Sequence, residues 1–253
     1  MMNRNPFIEN MTDARINSNN LQIAVLIDAD NVPYKGIKGI LEEVTRYGTP
    51  TIKRIYGDWT NQRLSGWKPL LLENAINPIQ QYGYTTGRNA TDSALIIDAM
   101  DILYTKQIDG FCLVSSDSDF TKLATRLREA GKWVLGVGER KTPSPFIVAC
   151  DKFVYIEVID ENNKASLLRG KDKADLVKLI SSSINDSADD SGYAFLADVG
   201  NSMMRKQPDF DPRNYGYFKL TPLLKDLDEF EVDERKIDDT IKHVYIRNRR
   251  KNQ

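Results

Sequence analysis

The chain has 253 residues, of which 41% are hydrophobic and 28% are charged, values typical of a folded protein with a buried core. Its formal net charge of -1 excludes a strongly basic protein that binds nucleic acid over its whole surface, so any nucleic-acid interface must be local. One histidine and two cysteines argue against a zinc site or a disulfide framework.

The N-terminal stretch, residues 1–20, lacks the apolar run of a signal peptide. No stretch elsewhere is long and apolar enough to span a membrane. Cys112 lies within an apolar run and Cys150 follows one, so both thiols are expected to be buried and reduced. We therefore expect a disordered N-terminus at residues 1–20 and a cytoplasmic protein.

Residues 21–160 alternate short β-branched runs with helical segments, the pattern of an α/β domain with a parallel sheet. The predicted strands are IAVLID, TIKRIYG, NPIQQYGY, GFCLVSS and WVLGVG, with FVYIEV as a sixth. Helical spacing covers residues 34–47, 63–75, 91–104 and 118–130. Right-handed crossovers would place the carboxyl ends of all strands on one rim.

The composition changes at residues 161–170, which we interpret as a linker. Residues 171–250 then contain three predicted helices, KADLVKLISSSI, GYAFLADVGNSMMRK and KLTPLLKDL, with SINDSADDSG as a polar loop after the first. EFEVDERKIDDTIKHVYIRN predicts two short strands around a charged turn. This order predicts a small winged helix-turn-helix domain.

Four aspartates are expected on the rim of the sheet: Asp28, Asp92, Asp117 and Asp119. The first strand and the strand beyond the switch point are neighbours in such a sheet, so Asp28 and Asp117 should converge. Two carboxylates about 4 Å apart repel by roughly 4 kcal/mol at an effective dielectric near 20, so the group needs a cation or a shifted proton. Carboxylate oxygens suit Mg²⁺ or Mn²⁺.

Each of these polar residues also has a structural explanation. Asp92 and Asp117 stand where carboxylates cap helices or interact with the helix dipole. Asn31 either caps the next helix or orients a metal-bound water or phosphate, and Ser116 either caps or donates to a phosphate oxygen. Helical spacing leaves Asp98 to a solvated face or a local pair, or to a supporting role behind the metal ligands.

Three separated motifs, LIDADN, NATDSALIIDAM and CLVSSDSDF, together resemble the NYN domain, a PIN-like nuclease module, of the LabA-like group. The resemblance covers about residues 21–159 and implies a PIN-like, Rossmannoid, three-layer fold that hydrolyses RNA with a divalent metal. It identifies the acidic metal-binding residues and an asparagine of the first motif, carried here by Asp28, Asp92, Asp117, Asp119 and Asn31. Ser116 departs from the family pattern, because many members have glycine there.

The second half, from GYAFLADVGNSMMRK to LKDLDEFEV, resembles an OST-HTH domain, also called LOTUS. This resemblance implies a winged helix that binds RNA. Together the two resemblances predict a Mg²⁺- or Mn²⁺-dependent endoribonuclease with its own RNA-binding module, acting on single-stranded or structured RNA. Whether the protein forms a homodimer stays open.

Candidate RNA contacts near the rim are Arg63, Lys68 and Arg88, which are alternatively ordinary surface charges. Trp59 and Trp67 flank the same loop and would either stack on bases or pack in the core. In the second domain we expect a stacking and phosphate-binding patch formed by Lys206, Arg213, Tyr215 and Lys219.

Two other functions remain open on the sequence. In the first, the protein is a non-catalytic regulator that binds RNA or protein. In the second, it is an aspartyl phosphatase with Asp28 as nucleophile, because an Asp-x-Asp motif at a first strand end also occurs in such enzymes.

Overall fold

The computed structural model describes residues 21–82, 90–159, 173–236 and 242–249. The expected disordered N-terminus, the predicted linker at 161–170 and Arg88 all lie outside these residues. The chain divides into two compact units after Cys150. Within the described residues, no helix is both long and apolar enough to cross a membrane.

A six-stranded sheet in the order β3-β2-β1-β4-β5-β6 confirms the predicted α/β class. Its strands are β1 Gln22–Asp28, β2 Thr49–Gly57, β3 Asn77–Gln80, β4 Gly110–Val114, β5 Trp133–Gly138 and β6 Lys152–Tyr155. The pairs β1–β2, β1–β4, β2–β3 and β4–β5 are parallel. The adjacency of β1 and β4, which the sequence predicted, brings the carboxyl ends of the first and fourth strands together.

Four helices lie at the predicted positions: α1 Ile37–Thr45, α2 Lys68–Glu73, α3 Ala90–Thr105 and α4 Thr121–Glu129. Two short helices that the sequence did not predict follow, α5 Ser144–Ala149 and α6 Ile156–Ile159. Short 3-10 helices precede α1, α2 and α4, at Tyr34–Gly36, Gln62–Trp67 and Ser118–Phe120. The prediction was wrong for the end of FVYIEV, because the chain leaves the strand after Tyr155 and continues as α6.

The two central strands explain why this sheet forms. Every residue from Ile23 to Asp28 in β1 is buried, and so is every residue of β4. Such continuous apolar runs are expected where helices cover both faces of a parallel sheet. Gly131 lies two residues after the end of α4 and has a φ of 74°, a conformation that glycine adopts without strain.

From residue 173 onward, the described part of the second unit has three α-helices, a 3-10 helix at Pro212–Tyr215 and a small antiparallel sheet in the order β7-β9-β8. The elements are α7 Lys173–Ser187, β7 Ala194–Phe195, α8 Leu196–Lys206, α9 Leu220–Lys225, β8 Phe230–Lys236 and β9 Lys242–Asn248. The two predicted strands of the wing are confirmed as β8 and β9. The turn between them lies outside the described residues.

Two boundaries in this unit differ from the prediction. The segment SINDS is helical and not a loop, because Ser183 and Ile184 continue the buried face of α7. The predicted second helix begins only at Leu196, since Ala194 and Phe195 pair with β9. The core that all these elements share includes Ile180, Val199, Met203, Leu224 and Ile246.

Candidate metal centre

Three carboxylates meet at the carboxyl edge of the sheet. Asp92 lies in the first turn of α3, and Asp117 and Asp119 follow β4. One carboxylate oxygen from each lies within 4.8 Å of those of the other two. Asp92 is buried, Asp117 is half-buried and Asp119 is exposed, so the group extends from the interior to solvent. This is a carboxylate arrangement that a hard divalent cation can enter from one side.

Asp117 also caps the helical turn that follows it. Its Oδ1 accepts a hydrogen bond from the backbone N–H of Asp119 at 2.9 Å, and its own N–H donates to Ser115 Oγ at 3.1 Å. The structural and the metal-binding interpretations of Asp117 are therefore compatible. The cap fixes the backbone that presents both Asp117 and Asp119.

Asp28 lies behind this cluster and is fully buried. Its Oδ2 accepts hydrogen bonds from Asn31 Nδ2 and Ser115 Oγ, both at 2.8 Å, and its Oδ1 accepts from the Asp30 N–H at 3.2 Å. Burial raises the pKa of Asp28, and the three hydrogen bonds act in the opposite direction. Asp28 thus organises the loop after β1 through Asn31 and joins it to the end of β4 through Ser115.

The pKa of Asp92 is shifted by its surroundings in the site. Burial, followed by the negative charges of Asp28, Asp117, Asp119 and Asp30 in that order, raises the pKa of this carboxyl group to about 6. These four neighbouring charges are all acidic. Because like charges are gathered here at a cost, the donor set fits a divalent cation.

A second network attaches α3 to the sheet. Asp98 accepts hydrogen bonds from the guanidinium of Arg54 and the hydroxyl of Tyr56, both on β2. Of the three alternatives stated for Asp98, the local pair and the solvated face are excluded, because its partners lie on β2. Tyr56 is fully buried, and burial and this hydrogen bond raise its pKa. The contact holds α3, and with it Asp92, against the strand next to β1.

Ser115 is the site residue that the sequence did not favour. The register pairs Ile27 with Val114, which places Asp28 and Ser115 side by side just beyond the pair. The contact between Asp28 and Ser115 can therefore be predicted only when the register of β1 and β4 is known. Ser116, the residue we had favoured, is buried, and its Oγ accepts a hydrogen bond from the Glu139 N–H at 2.8 Å.

The other predicted RNA contacts of the first unit have different surroundings. Arg63 and Lys68 are exposed, on the 3-10 helix before α2 and at the start of α2. Trp67 is only 1% exposed and belongs to the core, which confirms the packing alternative and excludes base stacking for this residue. Trp59 is half-buried, and its backbone N–H and Nε1 donate to Gln80 and Ile79 at 3.0 Å.

The predicted patch of the second unit contains two basic residues that are already paired. Lys206 lies 2.6 Å from Asp186, and Arg213 binds Asp211 through two nitrogens at 3.0 and 2.7 Å. Tyr215 packs against the core, and Lys219 is exposed.

Comparisons with known proteins match both halves of the chain. The NYN domain model matches residues 22–157, and the OST-HTH/LOTUS domain model matches residues 171–241. No curated protein matches the chain.

Several solved structures are similar to parts of the chain. A protein of unknown function from Vibrio parahaemolyticus is 22% identical over 55% of this chain and 94% of its own, with a TM-score of 0.46. An uncharacterised protein from Nitrosomonas europaea is 35% identical over 35% of this chain and 87% of its own, with a TM-score of 0.30. A protein from Chromobacterium violaceum is 35% identical over 34% of this chain and 92% of its own, with a TM-score of 0.27.

Proposed function

The chain belongs to the NYN domain family and carries an OST-HTH/LOTUS domain, and from this premise we propose that it is a metal-dependent endoribonuclease. NYN domains belong to the PIN-like nucleases, and OST-HTH/LOTUS domains bind RNA. The observation that carries the proposal is the convergence of Asp92, Asp117 and Asp119 within 4.8 Å.

In this proposal Asp92, Asp117 and Asp119 hold Mg²⁺ or Mn²⁺ through carboxylate oxygens. A bound ion of this kind activates water and neutralises the charge that develops on a phosphodiester. The cap made by Asp117 keeps the two loop carboxylates in fixed relative positions. Asp92 supplies the buried carboxylate, whose pKa is raised first by burial and then by the neighbouring acids, whose negative charge also favours a cation.

We assign Asp28 to the same site as a buried negative charge. It is the first of the acidic neighbours that raise the pKa of Asp92. Asn31 and Ser115 donate hydrogen bonds that hold the Asp28 carboxylate in one orientation. Asn31 thereby supports the metal ligands and is not itself required to touch RNA.

RNA contacts complete the proposal. The exposed Arg63 and Lys68 are candidates for phosphate binding near the metal centre, and Arg88 remains a candidate from the sequence. In the OST-HTH/LOTUS domain, Lys219 is exposed, while Lys206 and Arg213 would have to share their charge with an acidic partner. We expect unpaired RNA to bind through both domains.

The alternative functions are less well supported. An aspartyl phosphatase needs an accessible nucleophile, whereas Asp28 is fully buried and both of its oxygens accept hydrogen bonds. A non-catalytic binding protein is the alternative that must be tested directly, since it shares the fold and both domains.

The test measures cleavage of a labelled circular single-stranded RNA in Mn²⁺, in Mg²⁺ and in EDTA. A circular substrate has no ends, so its linearisation reports endonucleolytic cleavage only. We expect cleavage with either metal and none in EDTA. Asp117→Asn should abolish it, and Asp101→Asn, at an exposed position of α3, should leave it unchanged. Equal cleavage by the native protein and Asp117→Asn would remove the assignment.

A further inference from the structure

The outer face of the wing in the second unit carries aromatic and guanidinium side chains. Along β9, Ile246 is buried in the core, while the neighbouring Tyr245 and Arg247 are half-buried on the opposite side of the strand. Cross-strand pairing sets Tyr245 opposite both Phe195 of β7 and Asp233 of β8. The pleat thus collects on this face a group of six flat side chains, here called the stacking strip: Tyr193, Phe195, Arg235, His243, Tyr245 and Arg247.

Three rings form one end of the stacking strip. The centroids of Phe195 and His243 lie 5.1 Å apart, and those of Phe195 and Tyr245 lie 5.7 Å apart. His243 and Tyr245, two residues apart on β9, have centroids 6.5 Å apart. Contacts of this kind stabilise a sheet, but half-buried rings also leave part of their faces to solvent.

Guanidinium groups continue the stacking strip. Arg235 lies over the rings of both Tyr245 and Tyr193, at 4.3 and 5.0 Å from the centroids, and Arg247 lies over Tyr193 at 4.6 Å. Rings and guanidinium planes therefore follow one another without interruption from His243 to Arg247. Flat aromatic and guanidinium groups are the surfaces on which unpaired bases stack.

Acidic partners hold the two arginines in place. Arg235 Nε lies 2.8 Å from Asp233, and Arg247 lies 2.9 and 2.7 Å from Glu231 through two nitrogens. The Tyr193 hydroxyl donates to the same Glu231 at 2.8 Å. The stacking strip is thus preorganised, so a ligand would not have to order these side chains.

The basic groups of the stacking strip lie among an equal number of acids. Residues 230–249 contain five lysines and arginines and five aspartates and glutamates, so the wing has no net basic excess. The ring and guanidinium surfaces of the stacking strip, and not a net positive charge, therefore favour unpaired nucleic-acid bases as the ligand.

We propose that the stacking strip binds the unpaired bases of single-stranded RNA; the choice of RNA rests on the proposed function. Bases stacked in a helix are about 3.4 Å apart, whereas the His243 and Tyr245 centroids are 6.5 Å apart. Consecutive stacked bases cannot match that spacing, but splayed bases can. The stacking strip therefore selects unpaired RNA over a duplex, and the arginines add contacts to its phosphates.

The experiment measures binding by fluorescence anisotropy in EDTA, with the full chain and a labelled oligouridylate of about 16 nucleotides. We expect Tyr245→Leu, which keeps apolar bulk but removes the ring, to weaken binding about tenfold. Tyr245→Phe should bind like the native protein. Phe218→Ala, at a side chain 80% exposed elsewhere in the same unit, should also leave the affinity unchanged. A duplex of equal length should bind more weakly than the oligouridylate.

The outcomes separate this inference from the nuclease proposal. Binding that depends on Tyr245, in a protein that never cleaves RNA, would overturn the nuclease and leave the stacking strip as an RNA surface. Native affinity in Tyr245→Leu, or no RNA binding by the native protein, would overturn the stacking strip as an RNA surface and point to a protein ligand. If Tyr245→Leu unfolds, Arg235→Gln tests the same face from its exposed rim, with weaker binding expected and unchanged binding counting against it.

Discussion

The acidic cluster and the stacking strip differ in how their charged side chains are paired. At the cluster, the neighbouring charges that raise the pKa of Asp92 belong to four acids, so the folded protein gathers like charges there. On the wing, Arg235 and Arg247 each have an acidic partner within 3.0 Å. Under the two proposals, the first region gains stability from an added cation, whereas the second is held by its own ion pairs and gains from a ligand mainly through stacking.

This difference predicts where single substitutions act. Changes in the cluster should alter catalysis strongly and stability in a metal-dependent way. Changes on the wing should alter RNA affinity and leave folding almost untouched. The following predictions test that contrast, beginning with the largest expected effect.

The largest effect should come from Asp92→Asn on RNA cleavage. Loss of one buried metal-binding carboxylate should lower kcat/KM by at least about a hundredfold, because the ion both positions and activates water. Steady-state cleavage of a fluorogenic single-stranded RNA in Mn²⁺ measures this. The matched Asp101→Asn change on the same helix should stay within about twofold of the native rate. Equal losses in the two variants would mean that the cluster has no special role.

The contact between α3 and β2 should give the next largest effect. Asp98→Ala leaves the buried Tyr56 hydroxyl and the Arg54 guanidinium without their common acceptor. Unpaired buried polar groups cost about 1–3 kcal/mol, so the free energy of unfolding should fall by that amount. Urea unfolding measures the change. Asp101→Ala is the control and should stay within about 0.5 kcal/mol of the native protein; a similar loss there would contradict the importance of the contact.

The sequence was sufficient for the parts of the structure that depend on local pattern. The continuous apolar runs predicted the buried central strands, and the parallel order predicted that β1 and β4 would be neighbours. The approach of Asp28 to Asp117 stays a prediction, because the three carboxylates found together are those of Asp92, Asp117 and Asp119. Partners that depend on tertiary packing were not predictable in this way. Asp98 binds side chains on β2, Ser115 meets Asp28 only through the β1–β4 register, and Trp67 is buried by packing.

The same limit explains the errors in the second unit. Ala194 and Phe195 are both compatible with the helix that follows them. They lie in the sheet because they pair with Ile246 and Tyr245 of β9. Sequence separation hides such pairs, because local propensity says nothing about a strand some fifty residues away. The stacking strip could not be predicted for the same reason, because its residues come from β7, β8, β9 and the residue Tyr193 before β7.

A pH experiment without metal should reveal the cost of burying Asp92 among neighbouring acids. The pKa of Asp92 is raised from 3.8 to about 6 in the folded protein. The folded state therefore binds more protons than the unfolded state between these values, and stability falls as the pH rises through that window. Asp92→Asn removes the penalty and should be more stable than the native protein above about pH 6.5, by about 1–2 kcal/mol.

Urea unfolding in EDTA at about pH 8 and about pH 3.5 checks the sign, because the difference should disappear at the lower pH. Saturating Mn²⁺ should reverse the order at the higher pH, since a bound ion stabilises the native protein alone. A native protein that is more stable than Asp92→Asn at about pH 8 without metal would contradict a destabilising charge on Asp92.

The smallest effect should come from Asp233→Asn on the wing. The Arg235–Asp233 pair is partly exposed on both sides, at 44% and 41%, and such pairs contribute little to stability. Arg235 would still lie over Tyr193 and Tyr245, so the free energy of unfolding should change by less than about 0.5 kcal/mol. Oligouridylate affinity should rise about twofold, because one negative charge leaves the wing. A loss of stability above about 1 kcal/mol would mean that the acid, and not the rings, holds Arg235, and the contrast between the two regions would then be one of degree.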